Sequence, residues 1–459
     1  MSLDGERLDP SSSDEEIIHL PQYGPTYVPN NNFQNIFSNL RNFVYHYLHV
    51  SEQHGDARIA KSSIRYLLAF LSMIGFTIVY LLRVNMSVAI IAMTDNSTSV
   101  NHTSFNWTEA EKNEILGSFF YGYASSNLLA GLLADKFSCG ASLLGYGVGG
   151  TAVFSAFTPI FASWGVKWIC LLRIIEGFFE GVTFPAAFAL WSNWAPKDER
   201  TTLQASSMNG ATLGTVCGLA ITGVLAKMPT IGWEGSFYIF SIIGIVWTGI
   251  WFMIASNIPE TNAWITKYER DLIRESIDKP FDKKFPWKHC FSSKIFYVLV
   301  GSHFCQAWGN YMGIMEIPLF VNEVLHLDVT KSGLFTAIPN VIAFVFSLGF
   351  AMLVDHFLKK GHDVTKTRKI TQLIAFIGPS VCLALLIYIE KLVDYQVLVL
   401  LTFTSVFGIL TTSGLLSSFL DTCGQFSATV FGLSNSLANC TGFLVPALTG
   451  FFTGFLEKL

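Results

Sequence analysis

From residue 64 onward, apolar stretches alternate with short polar connections, and each stretch has the roughly 20 residues a helix needs to cross a hydrocarbon core. The pattern predicts eleven membrane-spanning helices, over about 64–94, 114–134, 140–162, 166–190, 202–226, 235–257, 295–321, 333–355, 370–390, 394–419 and 427–455. Residues 1–63 are polar instead, with an acidic Ser-rich patch at Ser11–Glu16 and a Pro/Asn stretch at Pro21–Asn32. They lack the apolar core of a signal peptide and read as a largely disordered cytosolic tail. Within the tail, Phe33, Ile36, Phe37, Leu40, Val44, Tyr47 and Leu48 recur at helical spacing. They fit a short interfacial helix over 33–48 as well as they fit a fluctuating segment.

The longest internal connection, 258–294, is charged and divides the spans into six (64–257) and five (295–459). The two parts carry a parallel repeat: "GLLADKF" (Gly131–Phe137) follows the second span, and "AMLVDHF" (Ala351–Phe357) ends the eighth. Each sets a small residue four positions before an acid at a helix end, which marks Asp135, Lys136 and Asp355 as a loop or gating motif. Six plus six spans related by an axis along the membrane normal is the architecture of the major facilitator superfamily. By that template a twelfth span is missing at Leu459.

Composition agrees with an all-α membrane protein. The chain is 51% hydrophobic and 14% charged, with 40 phenylalanines, against the roughly 25% charged residues of a soluble domain. A net charge of -4, with no basic tract interleaved with aromatics, sets nucleic acid aside as a partner. The eight cysteines show no CxxC pair and no His/Cys cluster at ligand spacing, so neither a disulfide framework nor a metal site is expected. Most of the 29 basic residues fall in the tail and in the loops after spans 2, 4, 6 and 8, which puts the N-terminus in the cytosol. The loop after span 1 then faces outward and holds three glycosylation acceptors, Asn96, Asn101 and Asn106.

Against this background the charges within spans stand out. A lone Arg or Glu at mid-membrane costs roughly 2.5–3.5 kcal/mol on insertion scales, so such residues face a bundle interior and pair. Span 4 holds Arg173, Glu176 and Glu180, spaced to share one helix face, and span 1 adds Arg83 one turn after Tyr80. Burial disfavours both carboxylate charges and a neighbouring arginine favours them, so the balance stays open, but a close carboxylate pair suits a proton carrier. A permanent ion-pair network that only orients helices is the bland alternative. Guanidinium groups suit a carboxylate or phosphate cargo, with Arg83 freer for it than Arg173. Gly210, Gly214 and Gly218 form a stripe for close helix contact. In span 7, His303, Trp308, Asn310 and Tyr311 are candidates to line a cavity.

"EGVTFPAAFALWSNWAPKDER" (Glu180–Arg200), "YLLRVNMSVAI" in span 1 and "ILGSFFYGY" (Ile115–Tyr123) resemble the anion:cation symporter family of the major facilitator superfamily, closest to its sialin-like members. The resemblance covers 64–455 and implies alternating access around a midplane organic-anion site. It implies substrate contact at Arg83, Tyr80, Tyr121 and Tyr311 and proton coupling at Glu180 and Glu176; the charged row adds Arg173 as a substrate-binding candidate. Phe188, Gln306 and the "SSFLD" stretch at Ser417–Asp421 depart from the family pattern and bear on which anion is carried. The resulting expectation is a monomeric carrier, not an enzyme, that moves a small organic anion with H+ in a lysosomal or vesicular membrane, with the plasma membrane as the alternative. No cofactor is implied. Sodium-coupled phosphate or organic-anion cotransport, and a non-transporting anion receptor or scaffold, are the rival readings.

Overall fold

Polar punctuation between apolar runs yields helix: in the computed structural model each of the eleven expected segments is mainly helical over its described residues, and no strand occurs among the described residues. These are 63–94, 104–226, 228, 230–277, 284–323, 329–388, 394–442, 444, 445, 448 and 449, without the side chains of Glu109, 314–336 and 387–394. The tail with its 33–48 helix, and Asn96 and Asn101, lie outside them; Asn106 is described and exposed. All of them belong to the compact unit Ala60–Leu459.

The first helices are α1 Ile64–Thr94, α2 Glu109–Phe137, α3 Gly140–Ser155, α4 Thr158–Trp164, α5 Val166–Gly181 and α6 Thr183–Trp194. A single 3-10 turn, Lys197–Glu199, leads into α7 Arg200–Met208, followed by α8 Gly210–Ala226 and α9 Gly232–Ile254. The connection holds α10 Lys267–Ser276 and α11 Trp287–Ser292. Then come α12 Lys294–Glu323, α13 Val329–Lys359, α14 Val364–Tyr388, α15 Asp394–Gly408, a π turn Thr412–Leu416, α16 Ser417–Cys423 and α17 Ser427–Ala438.

Local chemistry explains the boundaries. Thr108 and Glu111 form a capping box at the start of α2, and Ser138 ends that helix in the left-handed region at φ 49°. Spans 3 and 4, expected as single helices, are each broken. Pro159 in the first turn of α4 and Pro185 in the first turn of α6 have no N–H for the carbonyl four residues back, and their rings crowd it. The α3–α4 pair bends by 48°. At the second break the Thr183 hydroxyl donates to the Glu180 carbonyl at 2.7 Å. Among the described residues six helices are long and apolar enough to cross a membrane, or seven if the bent pair counts as one. Neither α2 nor the broken, charged α5–α6 pair is among the six, although both carry residues of the site.

Glycines fix the approach of the helices that matter. A Cβ added at Gly122 would lie 1.9 Å from the Ile174 carbonyl, and one at Gly177 would lie 2.0 Å from that of Phe119, so α2 and α5 touch backbone to backbone. The Gly210, Gly214 and Gly218 stripe of α8 rests on α1 in the same way, against Met73, Thr77 and Val84. Gly214 also abuts the Tyr80 Cβ, which fixes the height of Tyr80, and of Arg83 one turn later.

Candidate functional site

Four helices converge on one buried cluster. Arg83 of α1 places its guanidinium over three rings, Tyr80 at 4.6 Å, Phe119 at 4.9 Å and Tyr123 at 4.6 Å. Its Nε approaches Glu180 Oε1 of α5 to 2.5 Å. The two form a close buried ion pair, while Glu180 Oε2 and Arg83 Nη2 are buried without a hydrogen-bond partner. Glu180 is almost sealed, while the Arg83 side chain keeps 17% exposure. Tyr311 of α12 lies within electrostatic range of Arg83 and donates to Asn439 at 2.9 Å.

The other ion pair is built differently. Arg173 Nη1 donates to Glu176 Oε2 at 2.6 Å, and the Thr158 hydroxyl donates to Glu176 Oε1 at 3.3 Å. Arg173 also lies 4.7 Å from the Phe119 ring, which thus serves both arginines. Glu176 is therefore hydrogen-bonded on each oxygen, whereas Glu180 is held through Oε1 alone, by Arg83. One glutamate sits in a closed pair; the other faces an arginine with capacity to spare.

Tyr121 is a correction. It is 74% exposed, on the α2 stripe that also bears the exposed Leu129 and Leu133, pointing away from Arg83. Tyr123, with Phe119 one turn before it, supplies the rings instead. Tyr121 and Tyr123 are two apart and so point to opposite faces of a helix; their register with Phe119 was the signal that separates them. Sequence reasoning also passed over an amide chain across α2 and α17. Asn435 Nδ2 donates to Asn127 Oδ1 at 2.7 Å and Asn439 Nδ2 to the Asn435 carbonyl at 2.6 Å. In α12, Asn310 is exposed, whereas His303 is buried with Nδ1 at 2.9 Å from the Ser434 hydroxyl.

A second, ionic layer lies at one end of the helices. Asp135 Oδ2 accepts from the Thr429 N–H at 2.7 Å, and Asp355 Oδ2 accepts from the Thr202 N–H at 2.7 Å. Each repeat-related aspartate thus caps the third residue of a helix from the opposite part of the chain, α17 and α7 respectively. Lys136 is exposed beside Phe137. Asp421 joins Arg200 at 3.0 Å and Arg368 at 2.8 Å, and Arg65 bridges Glu199 at 2.7 Å and Glu269 at 3.0 Å. Glu269 of α10 also accepts the N–H groups of Ile64 and Arg65, which ties the connection to the start of α1. Among the described residues no group of His, Cys, Asp and Glu is arranged to hold a metal ion.

This geometry, helices packed around a charged core and latched at one end, is that of a membrane transporter. Residues 66–446 match the model of the Major Facilitator Superfamily. Sialin of Homo sapiens is 34% identical, with 84% of this chain and 82% of sialin covered. A vesicular glutamate transporter of Danio rerio is 31% identical over 86% of this chain and 69% of its own length. The fold is similar to those of the E. coli fucose:proton symporter, with TM-score 0.57, 13% identity and 85% and 93% coverage, and a proton:xylose symporter, with 0.57, 16%, and 86% and 89%. The chain belongs to the major facilitator superfamily and, within it, to the anion:cation symporter group that includes sialin and the vesicular glutamate transporters.

Proposed function

We propose that the chain moves a small organic anion together with protons by alternating access, with the anion's carboxylate on Arg83 and the coupled proton on Glu180. The observation that carries the reading is the Arg83–Glu180 pair, in which a buried carboxylate meets a guanidinium at close range and each keeps unused hydrogen-bonding capacity. A buried charge of that kind needs a partner. A proton on Glu180 withdraws its claim on Arg83 and leaves the guanidinium to an entering anion. The site then carries no uncompensated charge and can close around its load. Tyr80 and Tyr311 flank the anion, Tyr123 takes the place expected of Tyr121, and Arg173 with Glu176 holds α5 in position.

In this reading the N-terminus and the ionic layer face the cytosol, and the six spans before the 258–294 connection rock against those after it. The relatives named sialin and vesicular glutamate transporter support an anion cargo and a vesicular or lysosomal membrane. The test is uptake into proteoliposomes of N-acetylneuraminate, glutamate, ascorbate and phosphate, each under an imposed proton gradient and then a sodium gradient. Concentrative uptake of at least one anion with protons alone is the expected result. Accumulation only with sodium, or saturable binding without flux, overturns it.

A further inference from the structure

Between the Arg83 cluster and the ionic layer lies a set of rings that neither of them uses. Phe188 of α6 stacks on Phe431 of α17 at 4.0 Å between centroids and meets Phe419 of α16 at 6.0 Å. Phe419 and Phe431 meet at 5.5 Å, and His303 of α12 closes the group against Phe431 at 5.1 Å and Phe419 at 5.8 Å. All four are buried, with Phe188 and Phe419 at 0% exposure. His303 is held by Ser434 through Nδ1, at 2.9 Å.

The position of this group decides what it can do. Upward, Phe431 reaches Phe184 at 6.3 Å and Phe184 reaches Tyr80 at 6.2 Å, beside Arg83. Downward, Phe419 lies two residues before Asp421, and Phe431 two residues after Thr429, both in the ionic layer. The rings come from α6 on one side and from α12, α16 and α17 on the other, so they span the seam that must part. A dry aromatic layer excludes ions and breaks chains of water along which protons would move. Salt bridges alone do not do this, because their charges attract water.

We infer that Phe188, Phe419, Phe431 and His303 form the seal that separates the Arg83–Glu180 site from the end bearing the ionic layer, and so determine coupling rather than anion affinity. This rests on the alternating-access reading above, but its test needs neither a known anion nor proton coupling. The reporter is an Arg83→Cys variant in membrane vesicles of each orientation, without added anion. It is treated with a membrane-impermeant maleimide, and the label at position 83 is quantified by mass spectrometry of the peptide. With the seal intact, labelling is fast from one face only. Adding Phe431→Ala or Phe188→Ala is expected to raise labelling from the ionic-layer face at least tenfold, while Phe431→Leu, which keeps the bulk, raises it less. Only variants that elute as a single species on gel filtration are compared, and Phe431→Leu serves if neither alanine variant does. Labelling of Arg83→Cys equally from both faces before the seal is cut, or one-sided labelling that persists unchanged in the folded seal variants, overturns the inference.

Discussion

Arg83 Nε and Glu180 Oε1 form a buried ion pair at 2.5 Å, and each side chain holds a further buried polar atom, Nη2 and Oε2, that has no hydrogen-bond partner. A pair poised in this way is sensitive to the loss of either charge. Glu180→Gln keeps size and polarity while fixing the proton-loaded charge state. It is expected to abolish proton-driven accumulation, a drop of at least tenfold, while anion-for-anion exchange across the same vesicles continues. Exchange lost together with accumulation would mean that Glu180 holds the anion or the fold, not the proton. For Arg83→Lys, the compact ammonium keeps the charge but loses the planar fork, so KM for the anion rises more than maximal flux falls.

The neighbouring pair predicts the reverse pattern. Arg173 and Glu176 are hydrogen-bonded and almost wholly buried, so removing one partner strands a charge in the interior. Arg173→Met is expected to destabilise the protein by about 3–5 kcal/mol, and the double variant Arg173→Met with Glu176→Met to recover most of that loss. Thermal unfolding in detergent reads both. Full stability in Arg173→Met, with transport lost, would move Arg173 from a structural role into substrate contact.

How far the sequence revealed this site depended on the kind of signal. The eleven apolar runs and the charged face of span 4 were legible because length and helical spacing are local properties, and the arginine of span 1 stood out by its cost in an apolar run. Which glutamate meets which arginine was not legible. It depends on how α1 lies against α5, and that in turn follows from glycine contacts such as Gly214 on Tyr80. The Tyr121 assignment missed for a related reason, since a motif carries a block of residues while a helix face selects among them. The Asp135 and Asp355 repeat was visible as a pattern, but the helix ends they cap lie 294 and 153 positions away in the chain.

The glycine seam between α2 and α5 gives a prediction with an internal control. A methyl at Gly177 would sit 2.0 Å from the Phe119 carbonyl, a rigid backbone atom, whereas one at Gly117 on α2 meets nothing within 4 Å. Gly177→Ala should force the helices apart, displace Phe119 from both arginines and lower the melting temperature and transport together. Gly117→Ala should leave both within error, and helix propensity slightly favours it. Equal behaviour of the two variants in paired thermal and uptake measurements would contradict the backbone-to-backbone packing.

The cap at the start of α2 predicts an acid limit. Glu111 accepts from the Thr108 N–H at 2.8 Å and from its hydroxyl at 2.9 Å, and these bonds hold its carboxyl below the usual carboxylate range. The ionised form is the one bonded in the folded state. The contribution is therefore fully present above the ordinary carboxylate value of 4.5 and is lost as pH falls through the lower, folded value. Glu111→Gln is expected to melt slightly earlier than the parent at pH 6, with the two curves converging toward pH 3. A gap that widened on acidification would reverse the sign assigned here.

Asp421 is the acid on which the ionic layer turns, since one carboxylate divides its two oxygens between Arg200 and Arg368. Arg368 has further partners in the Thr201 hydroxyl and the Ser413 carbonyl, at 2.9 and 2.7 Å, so it stays in place when the acid is neutralised. Arg200 depends more on Asp421, its other contact being the Leu420 carbonyl at 3.4 Å. Asp421→Asn should therefore loosen the α7 side first and favour the state open at this end. Two residues on, Cys423 is only partly accessible, and its reaction with a water-soluble maleimide is expected to quicken several-fold in Asp421→Asn. Arg368→Gln should give a smaller change than Arg200→Gln in the same assay. If Arg368→Gln gave the larger one, the latch would run through α14 rather than α7.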